Sequence, residues 1–177
     1  MEIKDFVLYS LGESWSYVTR AVEGLTPDEF TYIPGPECNS IAFTFWHVVR
    51  AEDMWINRIF LEADEIYESG GWREKLGTPP EDSGYNYTAE QLRDWSVPDL
   101  DILNGYADAV RKKTLDFVQS LTPENLDEEM DFTGRPFPVG VYLAHVITEI
   151  AMHVGQICYL RGVLRGIESP PSPGEPE

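Results

Sequence analysis

Helical periodicity fills most of this chain, and strand-like alternation is found nowhere in it. Four long segments carry apolar residues three and four apart, each bounded by glycine, proline or a capping side chain. The first spans about Lys4 to Glu23 and stops at Gly24, with Val7, Leu11 and Val18 in register. The second spans about Ile41 to Leu61, capped by Asn39 or Ser40. The third spans about Asp99 to Leu121, and the fourth Val139 to Arg165 after the break Gly134-Arg135-Pro136-Phe137-Pro138. Each is amphipathic, so each must bury one stripe against the others. The expected fold is all-α: a four-helix bundle with a long crossover between helices two and three and short helices in the connections.

The connections carry their own signals. Leu25-Thr26-Pro27 and Leu121-Thr122-Pro123 both read as a threonine cap followed by proline at the first helical position, 96 residues apart. This faint echo pairs the two halves of the chain. Thr88-Ala-Glu-Gln91 is a capping box that starts another short helix. From Glu62 to Tyr87 the composition turns to Gly-Gly, Pro-Pro and scattered charge and reads as loop, either functional or hiding a short helix. Residues 1–168 are expected to form one domain. Residues 169–177, with four prolines in nine, are expected to be a disordered tail.

Charge and composition exclude several functions. The 177 residues include 13 basic and 31 acidic ones, a net charge of −18. Nucleic acid and anionic membranes both need a positive surface, so neither is an expected partner. No unbroken run approaches eighteen apolar residues, and the start lacks the pattern of a secretory signal. A cytoplasmic location is expected. Cys38 and Cys158 form neither a disulfide framework nor a redox pair. Phosphate-binding glycine loops and a nucleophile elbow are missing.

The three histidines are the chemistry-bearing residues. His145, Glu149 and His153 stand four apart on the fourth helix, so each lies about 40° around and about 6 Å along from the last. The apolar stripe of that helix runs through Val146, Ile150 and Ile157; His153 falls inside it and Glu149 on its edge. His145 and Gln156 lie further out on the same flank, and Tyr142 near the stripe. A glutamate facing a bundle interior costs several kcal/mol unless compensated. The compensator is a cation, a proton, or an arginine such as Arg50 or Arg58. A carboxylate and an imidazole four apart offer converging donors, and His47 on the second helix can add a third. Two histidines and a glutamate leave one coordination position open, as in catalytic rather than closed metal sites. His47 itself projects about 120° from the middle of its helix's stripe, at a groove border. Glu52 falls near the middle of that stripe and has no account from sequence.

The run His145 to Ile157, ending His153-Val-Gly155-Gln156-Ile157, resembles the last-helix motif of the DinB-like (YfiT-like) metalloenzyme superfamily, which usually reads H-x3-H-x3-H-x-G-Q-I. Phe45-Trp46-His47 through Glu52-Asp-Met-Trp55 is similar to the family's second-helix ligand motif. Ser96-Val97-Pro98-Asp99 through Leu121-Thr-Pro-Glu124 is similar to its third helix and following turn. The resemblance implies a divalent metal, zinc or nickel ahead of iron and manganese, held by His47, Glu149 and His153. Most relatives carry a third histidine at the position of Glu149; the mycothiol-dependent maleylpyruvate isomerases are similar in using glutamate. The exchange hardens the site and makes bound water less acidic. His145 and Gln156 are then outer-shell groups, His145 also a substitute ligand, and Tyr142 a proton donor near the metal.

These implications set the functional expectation: a metal-dependent enzyme acting on a small molecule. A thiol-dependent transferase or isomerase using a low-molecular-weight thiol is favoured over a hydrolase. The alternative is a non-catalytic stress-related binding protein with a structural ion. A homodimer is implied by the habit of relatives. Trp46, Trp55, Trp72 and Trp95 are candidates for pocket walls, though core packing is the commoner role of such residues. Gly155 is expected at a close helix crossing.

Overall fold

The computed structural model describes residues 2–79, 82–132 and 134–166; the tail over 169–177 lies outside them. Helix α1 (Ile3–Val22) starts on a reciprocal cap between Glu2 and Asp5, and its buried Val7, Leu11, Trp15, Val18 and Val22 form one inward stripe. Thr26 caps the short α2 (Pro27–Phe30), closing a box with Glu29. Helix α3 (Ile41–Asp53) is capped by Ser40, whose hydroxyl accepts from the Phe43 N–H. It runs directly into a π-helical segment, Met54–Phe60. There the Leu61 N–H reaches back five residues to the Ile56 carbonyl. The wider winding changes the direction in which Met54 and Trp55 point, and such segments often sit at functional sites.

The crossover from Glu62 to Tyr87 is not all loop. It contains α4 (Ile66–Ser69) and α5 (Trp72–Leu76), the latter bounded on both sides by glycines in the left-handed region. One helical turn is too short to show a period, which is why neither helix is visible in the sequence pattern. Thr88 caps α6 (Ala89–Asp94) as its capping box predicts, and Asp99 caps α7 (Leu100–Ser120) through the Asp101 and Ile102 N–H groups. Thr122 caps α8 (Pro123–Asp127), so the Leu-Thr-Pro echo marks two helix starts of one kind. The stretch before the last helix, read as free of strands, instead forms a small hairpin. Strand β1 (Glu129–Asp131) pairs antiparallel with β2 (Pro136–Pro138), Met130 opposite Phe137. Three residues per strand leave no room for alternation to be read. Helix α9 (Val139–Arg165) follows with the expected bounds.

Helix α1 packs along α9 and α7, and α3 packs along the same two helices. The helices that follow one another in each half, α1 with α3 and α7 with α9, therefore occupy opposite corners. The all-α four-helix bundle is the fold. Helix α9 has the length and mean hydropathy, 1.2, of a membrane span, although no unbroken apolar run shows this. It nevertheless buries Leu143, Val146, Ile150, Val154 and Ile157 against the bundle and carries Glu149 and two histidines, as a core helix does. Gly155 is not at a close crossing: a side chain there would meet nothing within 4 Å.

Glu52 now has an account. It is fully buried, and three donors from two other helices converge on it. Trp15 Nε1 donates at 2.8 Å, Arg111 Nη1 at 2.6 Å and Thr114 Oγ1 at 2.6 Å. A buried carboxylate is tolerated when paired and fully hydrogen-bonded, and this one ties α3 to both α1 and α7. Removing it strands the Arg111 charge and two donors. Glu52→Ala is expected to lower the unfolding free energy by about 3–5 kcal/mol, read from the denaturant midpoint, with an unchanged far-ultraviolet spectrum for whatever fraction folds.

Candidate metal centre

The groove between α3 and α9 brings the expected donors together. His47 leaves α3 at the border of its stripe, which in this packing is the side facing α9. Its ring meets the His153 ring edge to face, with centroids 4.8 Å apart. One donor atom each from His47, Glu149 and His153 lie within 4.8 Å of one another. Two donors about one ion at bonds of ~2.1 Å stand roughly 3.5–4.2 Å apart, so small rotations of the partly exposed Glu149 and His153 bring the set to bonding distance. These three residues form a possible metal-binding group.

The outer contacts of both imidazoles fit that use. His47 Nδ1 hydrogen-bonds the Ser83 carbonyl. A carbonyl only accepts, so Nδ1 carries the proton and the Nε2 lone pair is left for the groove. His153 Nδ1 donates to Gln156 Oε1 at 3.0 Å, which turns its Nε2 the same way. Tying one ring nitrogen to fix tautomer and aim is the usual outer shell of a metal-binding histidine. Burial holds His47 below the ordinary histidine range, with the Ser83 carbonyl opposing the shift in part. The neutral ring, which is the ligating form, is thereby favoured.

Among the described residues no arginine pairs with Glu149. Arg50 and Arg58 both pair with Glu65, at 2.7 and 3.3 Å. The neighbour of Glu149 is His145, whose Nε2 lies 3.4 Å from Oε2. His145 is exposed and rests edge-on against Trp55. It flanks the donor set instead of completing it. Tyr142 is the expectation that the structure redirects. Its hydroxyl accepts from the Phe132 N–H and donates to the Arg135 carbonyl. The phenol is therefore spent on the hairpin turn, and its ring props Trp55 and Phe132 from behind.

Beside the donors lies a cavity of about 340 Å³. His47, Ser83, His145 and Glu149 form its polar end, and Met54, Trp55, Tyr85 and Phe132 wall it. Of the four candidate tryptophans only Trp55 lines it. Trp46 is core, its ring tilted against those of Phe43 and Trp95, and Trp72 packs on Tyr106. Both cysteines are free thiols outside the donor set.

The sequence reading missed what holds Ser83 in place. Arg50 is buried on α3 and donates from Nε to the Asp82 carbonyl at 2.8 Å. Its Nη1 reaches the Tyr106 hydroxyl, which donates onward to the buried Asp53 at 2.7 Å. Asp53 accepts the backbone N–H groups of Ile66 and Tyr67. Arg50 and Asp53 thus fasten both ends of the crossover to α3, three and six residues from His47. Gly84 completes the turn with φ +75°, and a side chain there would come within 2.7 Å of the Trp46 ring. An Arg-x-x-Asp pair inside an otherwise apolar helix face was the signal available.

A sequence profile of the DinB superfamily matches residues 10–157, and the chain belongs to that superfamily. A conserved protein from Enterococcus faecalis has a similar structure, with TM-score 0.83 and 24% identity over 94% of this chain and 99% of its own. A DinB-like protein from Bacillus cereus is similar with TM-score 0.58 and 20% identity, over 94% and 95% of the two chains. At these identities the likeness shows the fold. No curated protein matches the chain significantly.

Two outcomes follow from the outer contacts. Gln156 is exposed, so Gln156→Ala is expected to change stability by less than about 0.5 kcal/mol yet weaken zinc or nickel binding roughly tenfold, measured by calorimetric titration. The lowered His47 pKa penalises its protonated form in the folded state, so its contribution to stability declines as pH falls from the ordinary histidine value of 6.5 toward the depressed one. His47→Gln should flatten the stability of the metal-free protein between pH 7.5 and 5.5, read by urea unfolding at each pH.

Proposed function

We propose that this DinB-superfamily chain is a metal-dependent enzyme acting on a small molecule, with His47, Glu149 and His153 holding a divalent cation, zinc or nickel. The observation that carries the reading is the convergence of three donors from two helices, both imidazoles tied off at Nδ1, at the end of a cavity. A closed structural site has four protein ligands and no room beside it. Here there are three, with room. A cation in this place supplies Lewis acidity, lowering the proton affinity of a thiol or water in the remaining position.

Thiol-dependent transfer or isomerisation is favoured over hydrolysis for a reason visible in the cavity wall. Metal-assisted hydrolysis commonly uses a separate carboxylate to take a proton from water. Glu149 is the one carboxylate among the described residues lining the cavity, and it is itself a donor. A thiol, ordinarily ionising near 8.5, needs less help. His145 would orient the substrate or stay beside Glu149 as its hydrogen-bonding neighbour.

Metal content after dialysis against zinc or nickel tests the assignment. One equivalent is expected for the unaltered chain and close to none for His153→Ala or Glu149→Ala, with helical content unchanged in all three. Saturating metal at about 100 times Kd is expected to add about 2.7 kcal/mol to stability, and the effect should fade toward pH 5 as protons compete for the imidazoles. Loss of folding in His153→Ala would point instead to a structural ion.

A further inference from the structure

We infer that the ligand of the cavity beside His47 and Glu149 has an uncharged body the size of one aromatic ring, a single metal-directed sulfur or oxygen, and no second anionic group. The inference rests on the metal-site reading above and adds the chemical class of the substrate to it. Its basis is how charge is distributed around the cavity. Among the described residues that line it, His47, Ser83, His145 and Glu149 carry its charged and strongly polar groups; Ala51, Met54, Trp55, Tyr85 and Phe132 form the remainder, whose side-chain polar atoms are the Tyr85 hydroxyl and the Trp55 indole N–H. No lysine or arginine is in the lining. The residues next to the lining segments but outside the described set, Glu81 and Thr133, are not cationic either. The nearby arginines of α3 and its extension are engaged elsewhere: Arg50 and Arg58 both close on Glu65.

A carboxylate or phosphate on the ligand body would therefore enter a space whose lining supplies no counter-charge, against the field of a chain whose net charge is −18. A cation at the donor set attracts one anionic head group and no more. The volume sets the other limit. About 340 Å³ is near the low end of the roughly 300–1,000 Å³ typical of small-molecule sites, which suits a ring and its head group. The walls favour a flat apolar body. Trp55 and Phe132 stand 4.9 Å apart from centroid to centroid, and Phe132 and Tyr85 are 48% and 75% exposed at the mouth. Aromatic side chains from three separate segments, the π-helical turn, the crossover and the hairpin, thus converge on one opening. A bound ring covers them.

The test uses the full chain loaded with cobalt(II), whose visible absorption reports on ligands joining the metal, with calorimetry on the zinc form as a check. Benzyl mercaptan, 4-(mercaptomethyl)benzoate and 2-mercaptoethanol are titrated in turn. Benzyl mercaptan is expected to bind at least tenfold tighter than either of the others. Phe132→Ala and Tyr85→Ala, both at exposed positions, should each erode that preference several-fold while metal stoichiometry stays at one. Equal or tighter binding of the carboxylate, or no preference over 2-mercaptoethanol, with the metal still bound, overturns this inference and leaves the metal site standing. Failure to take up cobalt or zinc at all overturns both.

Discussion

The buried guanidinium of Arg50 is the contact on which the rest of the site depends. It sits on α3 within an otherwise apolar surround and closes on Glu65, the Tyr106 hydroxyl and the Asp82 carbonyl, with the Tyr67 ring 3.8 Å beneath it. Burying an arginine is costly unless every donor is used, and here the acceptors come mostly from the crossover. The crossover in turn has to stay docked, which it does with buried Tyr67 and Leu76 and with these polar contacts. The two requirements meet in one network. Asp53 extends it by accepting the Ile66 and Tyr67 N–H groups, so the described parts of the crossover are held as a wall of the bundle.

What that wall does is local and chemical. It presents the Ser83 carbonyl to His47 and places Tyr85 over the cavity. A histidine at a groove border would otherwise be free to rotate toward solvent. With Nδ1 held from the crossover, the ring has one orientation, and that orientation faces α9. The same logic recurs on the other side of the groove, where Gln156 holds His153 from one turn away. The two imidazoles are aimed by different means, one tertiary and one local.

Two carboxylates on the bundle's helix faces, buried Glu52 and partly exposed Glu149, separate structure from chemistry. Glu52 is bonded by Trp15, Arg111 and Thr114 and fully buried, so it is closed to a ligand from solvent. Glu149, at the groove, has histidines beside it, exposed His145 at 3.4 Å and the donor atoms of His47 and His153 within 4.8 Å. Both residues read alike in the sequence, as acids on or near an apolar stripe. The difference lies in which neighbouring helix supplies donors: α1 and α7 face Glu52 with three, whereas α3 faces Glu149 with a histidine. An under-compensated carboxylate beside two aimed imidazoles is what distinguishes a cation site from a core network.

Much of this protein was legible along the chain because it is written in local rules. The four long helices, the threonine caps at Thr26, Thr88 and Thr122, and the row His145, Glu149, His153 all follow from periodicity and capping, which need only near neighbours. The short α4 and α5 and the β1–β2 hairpin were not legible, because a single turn or a three-residue strand is held by distant partners and carries no period of its own. Nor could helical projection decide whether His47 joins Glu149 and His153, since its angle on α3 has meaning only once α9 is known to lie on that side. The role of Arg50 and Asp53, the redirected Tyr142 hydroxyl and the apolar cavity between π-helical turn, crossover and hairpin are likewise products of packing. Sequence by itself determined the helices and the candidate donors on their faces; the tertiary structure alone decided which faces meet, because that choice is made by burial and hydrogen bonding between segments far apart in the chain.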